Sequence, residues 1–374
     1  MRDDKPDRVL GWDMLRGLCA LAVAVYHLLY WQDVAALHTL GSYGVYLFFV
    51  LSGASLAYNY QGKLADAGDA WRFLATRWLR LAPLFLLACL LFLALLAWRN
   101  GQWADRLPLR LALNASFGFG VYDPVLWALP VGGWSLGIEF VYYLAFPLLL
   151  PLLARRTRWL PVFAALAVMQ WLWIQRTAGS ADGYSASVVA YHQVPAFAAY
   201  FFGGCVIGAA RRARGGQWPA WAGMACWLAV ALLLLALNPA AAGDELLGAR
   251  GAGLFAACFA AVYASGQVRI GERLAPLAGW LGDITYGCYL LHPLFFFGFT
   301  WMVWPRLSDV GIAQAGAMVH ALVFAAVLAA TCAAAAASER WFEAPLRRRG
   351  RRWLGRRPAA AASVAHIDAA SISS

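Results

Sequence analysis

Charge is what this sequence has least of. Only 13% of its 374 residues are Asp, Glu, Lys or Arg, and 62% are hydrophobic. Soluble domains carry about 25% charged residues. That shortage, together with apolar runs near 20 residues, excludes a soluble globular protein and points to an integral membrane protein. Acidic residues are scarcer than basic ones, 19 against 30, for a net charge of +11. A basic surplus could suggest nucleic acid. Here the basic residues cluster between apolar runs, as a topology signal requires, so no nucleic-acid partner is expected. The seven cysteines are odd in number and form no CxxC pair, which argues against a disulfide frame or a metal site and for small buried hydrophobes. HExxH and GxxxxGK[ST] are both absent, removing two common catalytic signatures. His38, His192 and His320 are isolated and His366 sits in the tail, so no metal is expected.

What is there is a set of helical spans. Ten candidates run roughly over 11–31, 43–60, 81–98, 134–153, 159–175, 188–210, 219–237, 251–266, 279–303 and 315–337. The expected fold is all-α: a polytopic helical bundle of about ten transmembrane helices. With the N-terminus in the cytoplasm, Arg99, Arg106, Arg110, Arg176, Arg250 and Arg306 fall outside. All other basic residues except Arg16, which lies within a span, fall inside. That asymmetry favours N-in and C-in. The first segment resembles a signal peptide superficially, but Arg16 and His27 interrupt its apolar core, so it reads as a mature helix. The longest outside loop covers about 99–133; its tryptophans suit an interfacial belt, and its Asn114-Ala115-Ser116 sequon is too common a pattern to weigh. Residues 1–345 form the expected transmembrane domain, and 346–374 a basic, then disordered, cytoplasmic tail.

Polar residues inside the spans are expensive and therefore mark candidate sites. Arg16 and His27 are eleven positions apart in the first span, about three helical turns and roughly 16 Å along one face. Asp13 lies one turn before Arg16 on nearly the same face; a snorkelling Asp13–Arg16 pair is the plainer alternative. Ser52 and Gly53 in the second span suit either close helix packing or backbone approach by a ligand. Arg77 and Arg80 fit either positive-inside anchoring or a phosphate clamp. The fourth span opens with Trp134 and Ser135 and places Glu139 near the expected depth of His27. A carboxylate beside an imidazole fixes its tautomer and raises its basicity, so His27 and Glu139 are the expected catalytic pair; a Glu139 buried for packing specificity is the alternative. Tyr286, Tyr289 and His292 recur every three residues in the ninth span, as one polar stripe ending at Pro293. His292 reads equally as a cavity-lining group or a structural hydrogen-bonder.

Taken together, these elements resemble the acyltransferase-3 family of membrane acyltransferases. The matching residues are Asp13-Met14-Leu15-Arg16-Gly17 followed by His27, Phe48-Phe49 with Ser52-Gly53, Arg77 with Arg80, Trp134-Ser135-Leu136 with Glu139, Tyr286 with Tyr289 and His292, and Glu343 with Pro345. Each is weak alone; their order along nearly the whole chain is specific. Asp283 and Thr285 stand where relatives more often carry small residues and serine.

The resemblance implies a helical bundle of about ten spans in the inner (plasma) membrane. It also implies acyl-CoA as donor substrate, usually acetyl-CoA, with no permanently bound cofactor. The implied acceptor is a hydroxyl of an envelope carbohydrate such as O-antigen, exopolysaccharide or a lipid-linked sugar. Arg16, Arg77 and Arg80 are then expected along the CoA path, with Asp13, Ser52, Trp134, Ser135, Tyr286, Tyr289 and His292 lining the cavity. A transporter or flippase for lipid-linked sugars is the competing reading, and no inverted repeat favours it. A non-enzymatic scaffold is a third. The topology has a direct check. Green fluorescent protein fused after Ser374 should fluoresce, and alkaline phosphatase at the same point should be inactive; an active phosphatase would reject C-in.

Overall fold

The computed structural model describes residues 8–178, 184–214, 218–309 and 317–354. Among them there is no strand. The helices are α1 (Leu10–Tyr30), α2 (His38–Tyr60), α3 (Ala67–Asn100), α4 (Leu107–Ser116), α5 (Phe119–Tyr122), α6 (Pro124–Trp127), α7 (Trp134–Leu149) and α8 (Arg156–Thr177). They continue as α9 (Tyr184–Tyr191), α10 (Ala198–Arg214), α11 (Ala220–Ala236), α12 (Gly248–Gln267), α13 (Ala275–Gly298), α14 (Trp304–Asp309), α15 (Ala317–Ser338) and α16 (Ala344–Leu354). Among the described residues, six helical stretches are long and apolar enough to cross a membrane: 10–30, 38–60, 67–100, 134–154, 275–309 and 318–354. The other expected spans are helical too, but shorter or less apolar. A multi-pass membrane protein follows.

The expected single span over 188–210 is two helices, α9 and α10, parted by a short 3-10 turn at Val194–Ala196. Pro195 explains the break. Its ring disfavours helical geometry in the residue before it and supplies no N–H. The loop over 99–133 is folded rather than slack, carrying α4, α5 and α6. Its centre is Asn114, which is fully buried. The Asn114 side-chain amide donates to the carbonyls of Arg110 and Trp127, each at 2.8 Å, and its oxygen accepts from the Leu129 N–H at 3.1 Å. A residue readable as a glycosylation site is thus the loop's internal brace. The first part of the basic tail is helical, as α16; the disorder expected after Pro358 lies outside the described residues.

The bundle is organised around α2, of whose apolar window 78% is buried, against 17% for the last apolar stretch. Its main partner is α10. A Cβ on Gly53 would lie 2.1 Å from the carbonyl oxygen of Phe201, and one on Gly204 would lie 2.1 Å from that of Val50. The two backbones touch because neither residue carries a side chain, the usual device where lipid offers no hydrophobic drive between helices. Helix α1 packs mainly on α13 and next on α2, so its polar face lies among protein rather than lipid.

Gly53→Ala should therefore part α2 from α10. Overpacking of this kind costs about 1–3 kcal/mol, read as a lower melting temperature in detergent. Gly253→Ala, where a Cβ meets nothing within 4 Å, is the matched control and should melt like the parent.

Candidate functional site

Helix α1 carries the two ends of the site. Near its start, Asp13 is almost fully buried and accepts from Arg8 Nε at 2.7 Å; Arg8 also pairs with Asp283 of α13 at 3.0 Å. Arg16 lies 3.5 Å from Asp13. Its guanidinium donates to the Leu51 carbonyl at 2.9 Å and to the Ser55 hydroxyl, both on α2. So Asp13 and Arg16 do pair, as the plainer reading had it, but Arg16 is also tied across to α2.

At the other end of α1, His27 is half-buried. Its Nδ1 lies 3.0 Å from Nε2 of His292 on α13. Trp31 stacks on His27, with ring centroids 4.7 Å apart and planes 16° from parallel. His292 is 1% exposed, and its Nδ1 lies 3.2 Å from the Cys288 carbonyl oxygen.

The expected His27–Glu139 pair is not what forms. Glu139 Oε1 accepts from Ser52 Oγ and from Tyr143 OH, each at 2.5 Å, and Oε2 makes no hydrogen bond among the described residues. Register explains the correction. Ser135 of α7 and Tyr289 of α13 meet at the same level, with hydroxyls 2.8 Å apart. From that level Glu139 lies a turn towards Arg16, whereas His292 lies nearly a turn the other way. The carboxylate and the imidazole pair are therefore about 10 Å apart along the bundle axis. Sequence depth alone misjudged this offset by two turns.

The other expected residues distribute along the same core. Ser135 and Tyr289 both reach the Gly132 carbonyl, at 3.0 and 2.9 Å, fastening the start of α7 to α13. Trp134 packs against His192, with ring centroids 3.8 Å apart. Tyr286 donates to the Leu81 carbonyl of α3 at 2.6 Å, so it braces α13 against α3. Arg77 donates to Tyr60 OH at 3.1 Å and lies over the rings of Tyr60 and Phe73, while its Nε is buried with no partner among the described residues. Arg80 is exposed, within electrostatic reach of Arg347, Arg77 and Arg16. A cavity of 170 Å³ opens beside Tyr60, Lys63, Arg72 and Phe73. Cations from α1, α3 and α16 thus gather at the Arg16 end, and an imidazole pair stands at the other.

Four participants, Tyr143, Arg347, Arg8 and Asp283, were not among the expected site residues. Tyr143 sits one turn after Glu139 and could have been noticed on that ground. Arg347 is held by Glu339, and by Glu343 at 3.5 Å; the π-helical turn over Glu339–Glu343 brings both carboxylates to it. Arg8 with Asp283 is a contact between distant segments. A recess of 700 Å³ along α8, from Ala164 to Arg176, shares none of these residues; it is an apolar helix face.

The family model described as an acyltransferase domain, that of acyltransferase-3, matches residues 9–339. The chain belongs to the acyltransferase-3 family. No curated protein and no solved structure matches it. The matched stretch of this membrane acyltransferase holds both ends of the site; Glu343, Pro345 and Arg347 lie just beyond it. Among the described residues no cluster of His, Cys, Asp or Glu could hold a metal ion.

Tyr289→Phe removes the hydroxyl that links Ser135 and the Gly132 carbonyl to α13. Each lost hydrogen bond is worth about 1 kcal/mol. The variant should melt a few degrees lower in detergent while keeping its helical circular dichroism; an unchanged melting temperature would contradict the bracing role.

Proposed function

We propose that this acyltransferase moves an acyl group, usually acetyl, from cytoplasmic acyl-CoA to a hydroxyl of an envelope carbohydrate at the cytoplasmic membrane. The observation that carries the reading is the layout of α1, with cations gathered at one end and an imidazole held by another imidazole at the other. CoA is a molecule of matching shape: phosphates at one end, a long neutral pantetheine arm, and a thioester at the tip. The unpartnered Arg77 Nε and the exposed Arg80 suit the phosphates, since guanidinium groups favour such contacts. Arg16 is roughly 16 Å from His27 along the helix, a span the arm can bridge. The half-exposed Glu139, lying between these ends, supplies a hydrogen-bond acceptor for an amide N–H of the arm.

In the transfer step His27 takes the proton of the acceptor hydroxyl as its oxygen attacks the thioester carbonyl. The carbon–sulfur bond breaks, and the leaving thiolate recovers the proton from His27. A route through an acyl group held briefly on His27 uses the same nitrogen. The trigger for either is a neutral imidazole with one bare nitrogen. Glu139 does not orient that imidazole in this scheme, because its hydrogen bonds go to Ser52 and Tyr143.

The purified protein should bind acetyl-CoA, and envelope glycans from cells with and without the gene should differ by an acyl mass. Identical glycan masses and no acetyl-CoA binding would reject the reading in favour of a transporter or scaffold. His27→Ala should abolish the mass gain at normal expression. Arg77→Ala should weaken acetyl-CoA binding about tenfold, the loss of one charge-assisted contact of roughly 1.5 kcal/mol; equal affinity would remove Arg77 from the donor site.

A further inference from the structure

His292 has both ring nitrogens engaged, and the chemistry of their partners fixes where the protons sit. Its Nδ1 faces the carbonyl oxygen of Cys288 at 3.2 Å. A carbonyl can only accept, so this nitrogen carries the proton. A second acceptor stands nearby. Pro293 has no N–H to give to the Tyr289 carbonyl one turn back in α13, and that carbonyl also reaches the imidazole. With Nδ1 protonated, neutral His292 offers a lone pair at Nε2, 3.0 Å from Nδ1 of His27. That contact is satisfied only if His27 carries its proton on Nδ1, which leaves its Nε2 bare.

We propose that His292 is the positioning residue of the transfer step: a carbonyl–imidazole–imidazole chain holds His27 in the Nδ1–H tautomer and keeps Nε2 free to act. Trp31, stacked on the face of His27 and nearly parallel to both imidazoles, limits rotation of the ring. The device does what a carboxylate does in a hydrolase triad, without adding a permanent charge inside a membrane, where an unpaired one is expensive. It also explains why the polar stripe of α13 ends at a histidine followed by proline. The proposal rests on reading His27 as the group that performs acyl transfer.

Two variants of His292 separate the acceptor from the ring. His292→Phe keeps a flat ring and removes the acceptor. His292→Gln places an amide oxygen near the position of Nε2 and restores it. The turnover assay follows release of free CoA thiol from acetyl-CoA by protein in proteoliposomes supplied with an envelope glycan fraction. His292→Phe should lower kcat roughly 100-fold or more, the scale of general-base catalysis, with KM for acetyl-CoA within about twofold of the parent. His292→Gln should regain all but about tenfold of the rate, the residue of an imperfect orienting group. A merely structural His292 would move KM and melting temperature together with kcat, and glutamine would not rescue it. Independently of turnover, ¹⁵N-histidine spectra in detergent, assigned with His27→Gln, should show the parent His27 protonated on Nδ1 and that preference lost in His292→Phe.

A parent His27 protonated on Nε2, or a His292→Phe enzyme as fast as the parent, overturns the proposal. If no protein releases thiol, the parent included, yet the spectra show the Nδ1–H form lost on removing His292, the tautomer chain stands and the acyl-transfer reading fails.

Discussion

One contact between two helices governs the centre of this molecule: the nitrogen–nitrogen approach of His27 on α1 to His292 on α13. It exists only because α1 and α13 lie unusually close. A Cβ on Gly17 would fall 2.4 Å from that of Leu281, and one on Gly282 would fall 2.7 Å from that of Asp13. The ion pairs from Arg8 to Asp13 and Asp283 clamp the same two helices at their far end. A shift of one turn between them would move the imidazoles about 5 Å apart and break the contact. The small residues, the salt bridges and the stacked Trp31 are therefore parts of one arrangement that sets helix offset.

Charge is laid out along this arrangement with a clear polarity. Arg16, Arg77, Arg80 and Arg347 converge at one end, and among the described residues only Arg16 and Arg347 have carboxylate partners there. Uncompensated cations within a helical bundle are costly unless an anion or water meets them. At the opposite end the polar groups are imidazoles, hydroxyls and carbonyls. A ligand with a charged head and a neutral reactive tip fits that gradient in one direction only. Glu139, with Ser52 and Tyr143, stands at the midpoint.

Much of this was readable in the residues. The apolar periodicity, the single face shared by Arg16 and His27, and the ordered elements of the acyltransferase-3 pattern gave the fold class and the family. Pro195 signals the break between α9 and α10 once the preference of the preceding residue is taken seriously. What could not be read was which polar groups meet. Glu139 and His27 sit at similar nominal distances from the ends of their own spans, yet α7 begins below the level of His27, at the bridge between Ser135 and Tyr289. Side-chain partners across a bundle depend on axial offset between helices, which spacing within one helix does not encode. The same holds for Arg347, whose partners are gathered by a π-helical turn, and for Asn114, whose brace is formed by backbone groups of Arg110, Trp127 and Leu129 that no motif marks.

The account turns on the acyl tip meeting His27 while His27 stays bound to His292. An electron-microscopy structure with a non-cleavable thioether analogue of acetyl-CoA tests it most directly. The account predicts the phosphates at Arg77 and Arg80, the tip within contact distance of His27 Nε2, and the bond from His27 Nδ1 to His292 intact. An analogue whose tip stops at Glu139, or two imidazoles that have separated around it, would contradict it.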